Sequence, residues 1–86
     1  MDEAERSGRC REKLDRGELP RLVTPDRILI NRGTWEQCAL CDDTISEDST
    51  EYELQFLLRF GFGRSELTSF CFHRPCYHTW LIESGR

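Results

Sequence analysis

Two pairs of candidate metal ligands stand out because the members of each pair are separated by two residues. Cys38 and Cys41 form a C-x2-C pair, and His73 and Cys76 form an H-x2-C pair after 31 intervening residues. Structural zinc sites take four such nitrogen and sulfur ligands in a tetrahedron. A tight turn, or the first turn of a helix, directs two side chains with this spacing to one point. The pattern therefore predicts one structural Zn²⁺ bound by these four residues.

The remaining cysteines and the second histidine leave alternatives open. Cys71 precedes His73 by two residues and falls on the same face of a predicted strand, so it could replace His73 as the fourth ligand. Position 78 also holds a histidine, but it falls away from the apolar stripe of a predicted helix, and we expect His78 to be exposed. Cys10 is distant from both pairs and is expected to be a plain thiol. If no metal binds, free buried thiols or a redox C-x2-C pair would be the alternatives.

The segment between the ligand pairs has the pattern of a β-hairpin that leads into a helix. Apolar residues alternate from Thr50 to Phe60, which predicts a strand with one buried face. Residues 61–64 are typical of a turn, and we expect a second strand over 66–72. Pro75 predicts a helix start there, because proline is tolerated in the first helical turn. The expected inner stripe of this helix, which Gly85 would end, consists of Cys76, Tyr77, Trp80, Leu81 and Ser84.

Residues 1–33 are interpreted as a charged helical arm that precedes a compact module at 34–86. Helix-forming residues and charge pairs at helical spacing favour a helix from Ala4 to Arg16. Its apolar content is low, so we expect this helix to be largely solvated. The apolar run 28–30 could be a strand or a helical turn, and 31–33 is typical of a turn.

The size of the chain favours an additional stabilising element such as a metal. The chain has 86 residues, of which 37% are hydrophobic. A chain of this length buries only about 60% of its unfolded surface, so its core alone is small. The acidic N-terminus has no apolar leader, which favours a cytoplasmic protein with reduced thiols over a disulfide-bonded one. No run of residues approaches the roughly 20 apolar residues of a membrane span.

Charge is distributed unevenly along the chain. Residues 1–34 contain eight basic and seven acidic side chains, whereas residues 35–86 contain four basic and nine acidic ones. Non-specific nucleic-acid binding requires Lys and Arg to neutralise phosphates, so the second segment disfavours it. The acidic stretch from Asp42 to Glu53 could instead form a docking surface for a protein.

The ligand pairs and their surroundings resemble a treble-clef zinc finger over about residues 34–84. The segment Phe72-His73-x2-Cys76-Tyr77-x2-Trp80 is similar to the zinc half-sites of LIM and RING-type fingers. The whole chain also resembles a group of small uncharacterised bacterial proteins, in which a charged helix ending in Leu-Pro, here at positions 19 and 20, precedes such a cluster. The resemblance implies an α+β fold of knuckle, β-hairpin and C-terminal helix. It also implies the metal ligands Cys38, Cys41, His73 and Cys76.

The expected function is a protein-interaction or regulatory module, and we expect no enzymatic activity. Catalytic zinc keeps an open coordination position, whereas four protein ligands close the shell. A nucleic-acid-binding finger with a transcriptional role is the alternative, and a His-metal finger nuclease is a more distant one. A protein partner would dock on the acidic stretch or on the arm, and self-association through the arm is a further option. The apolar arm residues expected to receive it are Leu14, Leu19, Leu22 and Ile28–Ile30.

Overall fold

The computed structural model describes residues 1–21, 24–59 and 61–85, and these contain two helices and three strands. In chain order the elements are α1 (Glu3–Asp15), β1 (Arg27–Arg32), β2 (Thr50–Arg59), β3 (Ser65–His73) and α2 (Arg74–Ser84). The strands form one antiparallel sheet in the order β1-β2-β3. This confirms the α+β class, while the treble-clef assignment stays an interpretation. Leu22 and Phe60, which figure in the predictions, lie outside the described residues.

The predicted hairpin is formed by β2 and β3, and it carries the second ligand pair to its position. The pairing runs from Glu51 opposite His73 to Arg59 opposite Ser65. β3 continues without a break into α2, so His73 is both the last residue of the strand and the N-cap of the helix. Within the described ranges, neither helix is long and apolar enough to cross a membrane.

The run of apolar residues at 28–30 belongs to a strand. Ile28 lies opposite Leu54 and Ile30 lies opposite Tyr52 in the β1–β2 ladder. The turn predicted at 31–33 is wrong for its first two residues, since Asn31 and Arg32 continue the strand. The pairing with β2 extends through these polar positions, and their side chains remain exposed at the sheet edge.

The first helix is largely solvated, as expected, since three of its 13 residues are buried, but that buried side packs against α2 and contributes to the core. Cys10 is fully buried, and Leu14 is 5% exposed. Both belong to the same cluster of buried residues as the cysteines of the predicted metal site. The boundary proposed between residues 33 and 34 stays a prediction, because packing does not show whether either part folds alone.

The buried side of α2 differs in part from the predicted stripe. Cys76, Trp80 and Ser84 are buried, but Leu81 is 46% exposed. Glu83 is buried in its place, with its Oε1 atom 3.1 Å from Nε of Arg11 in α1. The helix is therefore rotated toward α1 relative to the sequence-based expectation.

Candidate metal centre

The first ligand pair lies in a tight loop, residues 37–44, which we call the knuckle. The N–H of Cys38 donates to the carbonyl of Asp43 at 2.8 Å, and the N–H of Asp42 donates to the carbonyl of Cys38 at 3.0 Å. Asp42 adopts a φ of 70°, a left-handed conformation that aspartate tolerates better than most residues. These bonds hold the turn on which both cysteines lie.

The second ligand pair lies at the junction of β3 and α2. His73 has extended backbone angles at the N-cap position, and Cys76 follows in the first helical turn after Pro75. A main-chain bond joins the two halves of the site, since the N–H of Ala39 donates to the carbonyl of Cys71 at 2.7 Å. The knuckle is thereby fixed against the strand that carries the histidine.

The structure brings the four predicted ligands together. One ligand atom from each of Cys38, Cys41, His73 and Cys76 lies within 4.8 Å of every other. The Sγ of Cys41 is 3.3 Å from Nδ1 of His73. Donor atoms of a tetrahedral zinc site are about 3.5 Å apart, as follows from zinc–ligand distances of about 2.0–2.3 Å. The group therefore fits one metal ion.

The orientation of His73 leaves its Nδ1 atom available as a ligand. Its Nε2 atom lies 3.2 Å from the carbonyl oxygen of Thr44. A carbonyl only accepts hydrogen bonds, so Nε2 must carry the proton and Nδ1 must be the atom with the free lone pair. Histidines that bind metals commonly donate their second N–H to such a carbonyl.

The electrostatics of the three cysteines favour a bound cation. A hydrogen bond from Cys76 and several backbone N–H groups lower the pKa of Cys38 to about 4, despite its burial. The pKa of Cys76 is raised by its hydrogen bond to Cys38 and by burial, and burial also raises the pKa of Cys41. Three buried sulfurs can lose their protons together only beside a cation, which a divalent metal supplies.

Cys71 lies outside the four-residue group. It is close to Glu51 and Glu53, with one ligand atom from each of these three residues within 4.8 Å of the others. Burial and the two carboxylates raise the pKa of the Cys71 thiol to about 12. These surroundings do not favour Cys71 over His73 as the fourth metal ligand. His78 is exposed, as expected from its place in the sequence.

Two basic residues of α1 hold the knuckle, and the sequence analysis missed both. Lys13 donates from Nζ to the carbonyl of Ala39 at 2.8 Å and forms an ion pair with Asp42 at 2.6 Å. Arg9 donates to the carbonyl of Cys41 at 2.9 Å. One signal was available for Lys13, because it lies three residues after Cys10, on the apolar side of the helix.

An open cavity of about 400 Å³ adjoins the candidate site. Cys41, His73 and Cys76 line it together with Arg6 and Arg74. Cys38, in contrast, is fully buried and does not line the cavity. A small chelator can thus approach the site from the side of the cavity.

Comparison with known proteins gives no relative from which a function could be transferred. No family model matches the chain, and no match was found among curated proteins or among solved structures.

Proposed function

We propose that this chain is a small structural-zinc protein whose treble-clef-like finger serves as a protein-interaction module. The observation that carries the proposal is the group of three cysteines and one histidine within 4.8 Å of one another. A main-chain acceptor at Nε2 of the histidine supports it, since that contact leaves Nδ1 available for a metal.

The donor set favours zinc over other common divalent cations. Thiolate and imidazole ligands suit Zn²⁺, whereas Mg²⁺ and Ca²⁺ take oxygen ligands in larger coordination shells. In a reduced compartment the cysteines remain available as thiols.

The proposed role of the ion is to stabilise the fold. Four protein donors fill a tetrahedral shell and leave no open position for a reacting water. Structural zinc sites contribute on the order of 10 kcal/mol to folding, which is large beside the stability of a small domain. Here the ion would link the knuckle to the β3–α2 junction, two parts of the chain that the whole hairpin separates.

The proposed docking surface consists of Trp35 and the exposed acidic residues near it in sequence. Trp35 is 60% exposed and has a φ of 65°, a conformation that costs a bulky residue roughly 1–3 kcal/mol and often occurs at binding sites. Two members of the acidic stretch are engaged inside the molecule, since Asp42 pairs with Lys13 and Glu51 is buried against Thr34. The exposed carboxylates that remain are Glu36, Asp43, Glu47 and Asp48.

This surface has the chemistry to attract a basic protein segment. Carboxylates steer cationic partners, and an exposed indole can bind an arginine or lysine side chain by cation–π contact. The same negative charge disfavours nucleic acid. Leu14 and Leu19 of the arm are poorer candidates for docking, because both are buried in the core.

Native mass spectrometry and far-UV circular dichroism test the proposed role of the metal. We expect one zinc per chain, with loss of ordered structure when a strong chelator is added. Cys38→Ser should abolish zinc binding, whereas the matched variant Cys71→Ser should retain it. Wild-type protein that binds no zinc and keeps its fold would contradict the proposal.

Titration with an arginine-rich peptide at low and high salt tests the docking surface. We expect binding that weakens with salt and is reduced by Trp35→Ala. Phe62→Ala is the matched control, because Phe62 is a fully exposed aromatic residue at the tip of the β2–β3 hairpin. Equal effects of the two variants would argue against the surface while leaving the metal site unaffected.

A further inference from the structure

The outer edge of β1 has main-chain groups that point away from the sheet. β1 is an edge strand of the sheet. The N–H of Gly33 donates to the carbonyl of Ser49 at 2.9 Å, which continues the β1–β2 pairing by one residue and shows that the odd-numbered residues bond to the β2 side. In an antiparallel pair, residues alternate between bonding to the partner strand and pointing outward. The N–H and C=O groups of Ile28, Ile30 and Arg32 therefore face the open edge.

The middle of this edge, residues 28–31, lacks the features that usually prevent strands from pairing with other molecules, whereas Pro25, Arg27 and Arg32 confine such features to its two ends. Natural edge strands are commonly blunted by lysine, proline or a bulge. The interior of β1 is Ile-Leu-Ile-Asn, and Ile28 and Ile30 are 43% and 59% exposed. The opposite edge of the sheet is partly covered, because Ala39 bonds to Cys71 in β3.

We propose that the β1 edge binds a second copy of this chain, giving a two-fold symmetric dimer with a continuous six-stranded antiparallel sheet. The outward-facing residues of β1 are 28, 30 and 32, so only registers that place these residues opposite one another let the two strands form main-chain hydrogen bonds. With the two-fold axis at Leu29, Ile28 of each copy bonds to Ile30 of the other. This register also places Arg32 of each copy opposite Asp26 of the other.

Charge complementarity selects this register and the second copy as the occupant. Arg32 forms no ion pair with the other described residues. Asp26 is exposed and accepts the N–H of Leu57 with its Oδ2 atom, so its carboxylate brings a negative charge to the end of β1 where Arg32 of the second copy would lie. Opposite charges directly across a ladder are favourable, and the dimer contains two such pairs. A parallel arrangement would instead place like arginines side by side.

The apolar surface beside β1 is suited to the same contact. Ile28 lines a cavity of about 370 Å³ between β1 and α2, together with Tyr77, Trp80 and Leu81. In the proposed register Ile30 of the second copy lies beside Ile28, at the rim of this cavity. Association would therefore remove the exposed isoleucines from water as well as satisfy the main-chain groups.

Sedimentation of the zinc-loaded full chain tests the association. We expect a concentration-dependent monomer–dimer equilibrium that Arg32→Glu weakens by about tenfold or more, because two attractive pairs become repulsive. Arg59→Glu is the matched control, since it makes the same charge change at an exposed position away from β1. A chain that stays monomeric at every concentration, or equal weakening by both variants, would overturn the proposal.

Cysteine cross-linking tests the register. The two copies of Leu29 face each other across the axis at a Cα distance of about 4.5 Å, which a disulfide spans. Leu29→Cys should therefore form a covalent dimer rapidly. Ile28→Cys should do so slowly, although Ile28 is the more exposed of the two positions. Faster cross-linking of Ile28→Cys, or binding of another protein to β1 without self-association, would overturn the proposal.

Discussion

The Nε2 atom of His73 lies 3.2 Å from the carbonyl oxygen of Thr44, so a main-chain group of the knuckle determines which ring nitrogen faces the candidate metal site. The contact joins the β3–α2 junction to the far side of the knuckle. It also orients the ring before a metal arrives, which reduces the reorganisation that binding requires.

The first prediction concerns the tautomer of His73. In the zinc-loaded protein we expect the Nε2–H form with Nδ1 bound to the metal, and long-range ¹⁵N–¹H NMR spectra of the rings distinguish this form directly. His78, which is exposed, serves as the internal reference. His73→Cys should keep a zinc ion in a four-cysteine shell, whereas His73→Ala should weaken binding strongly. A ring protonated at Nδ1 in the loaded protein would contradict the prediction.

The second prediction concerns Lys13, whose ammonium group binds both the Ala39 carbonyl and Asp42. Lys13→Met keeps the apolar stem but removes the charged group, so the buried carbonyl loses its partner. We expect a loss of about 2–3 kcal/mol in the free energy of unfolding, measured with urea, and faster zinc release to a chelator. Arg16→Met changes an exposed basic residue and should have little effect; equal effects would show that the contact to the knuckle is unimportant.

The third prediction concerns Gly33, where the chain passes close to a neighbouring loop. A Cβ atom at this position would lie 1.9 Å from the carbonyl oxygen of Ser46, a main-chain atom that cannot rotate away. Gly33→Ala should therefore lower the unfolding free energy by about 3 kcal/mol or more. Gly8→Ala, in the open middle of α1, should instead raise it by up to about 1 kcal/mol. Thermal unfolding of both variants measures these changes in unfolding free energy. A loss well below 3 kcal/mol for Gly33→Ala would contradict the close approach of Gly33 to Ser46.

The fourth prediction is that Cys10 makes the free energy of unfolding decrease at high pH. Burial, with a further effect of Glu83, raises the pKa of this thiol from 9.0 to about 11 in the folded chain. Above pH 9 the unfolded chain loses the proton first, so the contribution is present below pH 9 and is lost as the pH rises through 11. The rise of the Cys10 pKa from 9.0 to about 11 corresponds to about 2.7 kcal/mol of stability.

The variant Cys10→Ala isolates that contribution. The difference in unfolding free energy between wild type and variant should shrink by about 2–3 kcal/mol between pH 8 and pH 11. Denaturant titrations of both proteins across this range measure it. A difference that stays constant with pH would show that the thiol is accessible to solvent.

The features that the sequence predicted well depend on local signals. The alternation after Thr50 predicts the buried face of β2 as far as Phe56, although Leu58 on that face is 45% exposed and Glu51 on the other face is buried. Pro75 marks the start of α2 within one residue. The two ligand pairs are also local patterns, each readable from its own spacing. Bringing them together is not local, because the knuckle is held beside β3 by the bond from Ala39 to Cys71 and by Arg9 and Lys13 of α1.

The features that were missed depend on contacts between segments far apart in the chain. Lys13 is buried because the knuckle lies over it, and Glu83 is buried because α1 packs on that side of α2. Charged residues at these positions read as solvent-facing when each helix is considered alone. Leu81 was misplaced for the same reason, since the rotation of α2 follows from α1 and not from its own apolar stripe.

Arg9 and Lys13 donate to the main-chain carbonyls of Cys41 and Ala39, and this has a consequence for evolution. A carbonyl is present whatever residue carries it, so position 39 can change its side chain without disturbing the contact with α1. Substitutions at position 39 and at position 13 should accumulate independently in related sequences. Covariation between positions 13 and 39 would thus fail to reveal this bond, whereas the ion pairs of Lys13 and Arg9 with Asp42 are the part of the contact that covariation can reveal. At position 39 the path of the backbone, more than the identity of the residue, is what selection would preserve.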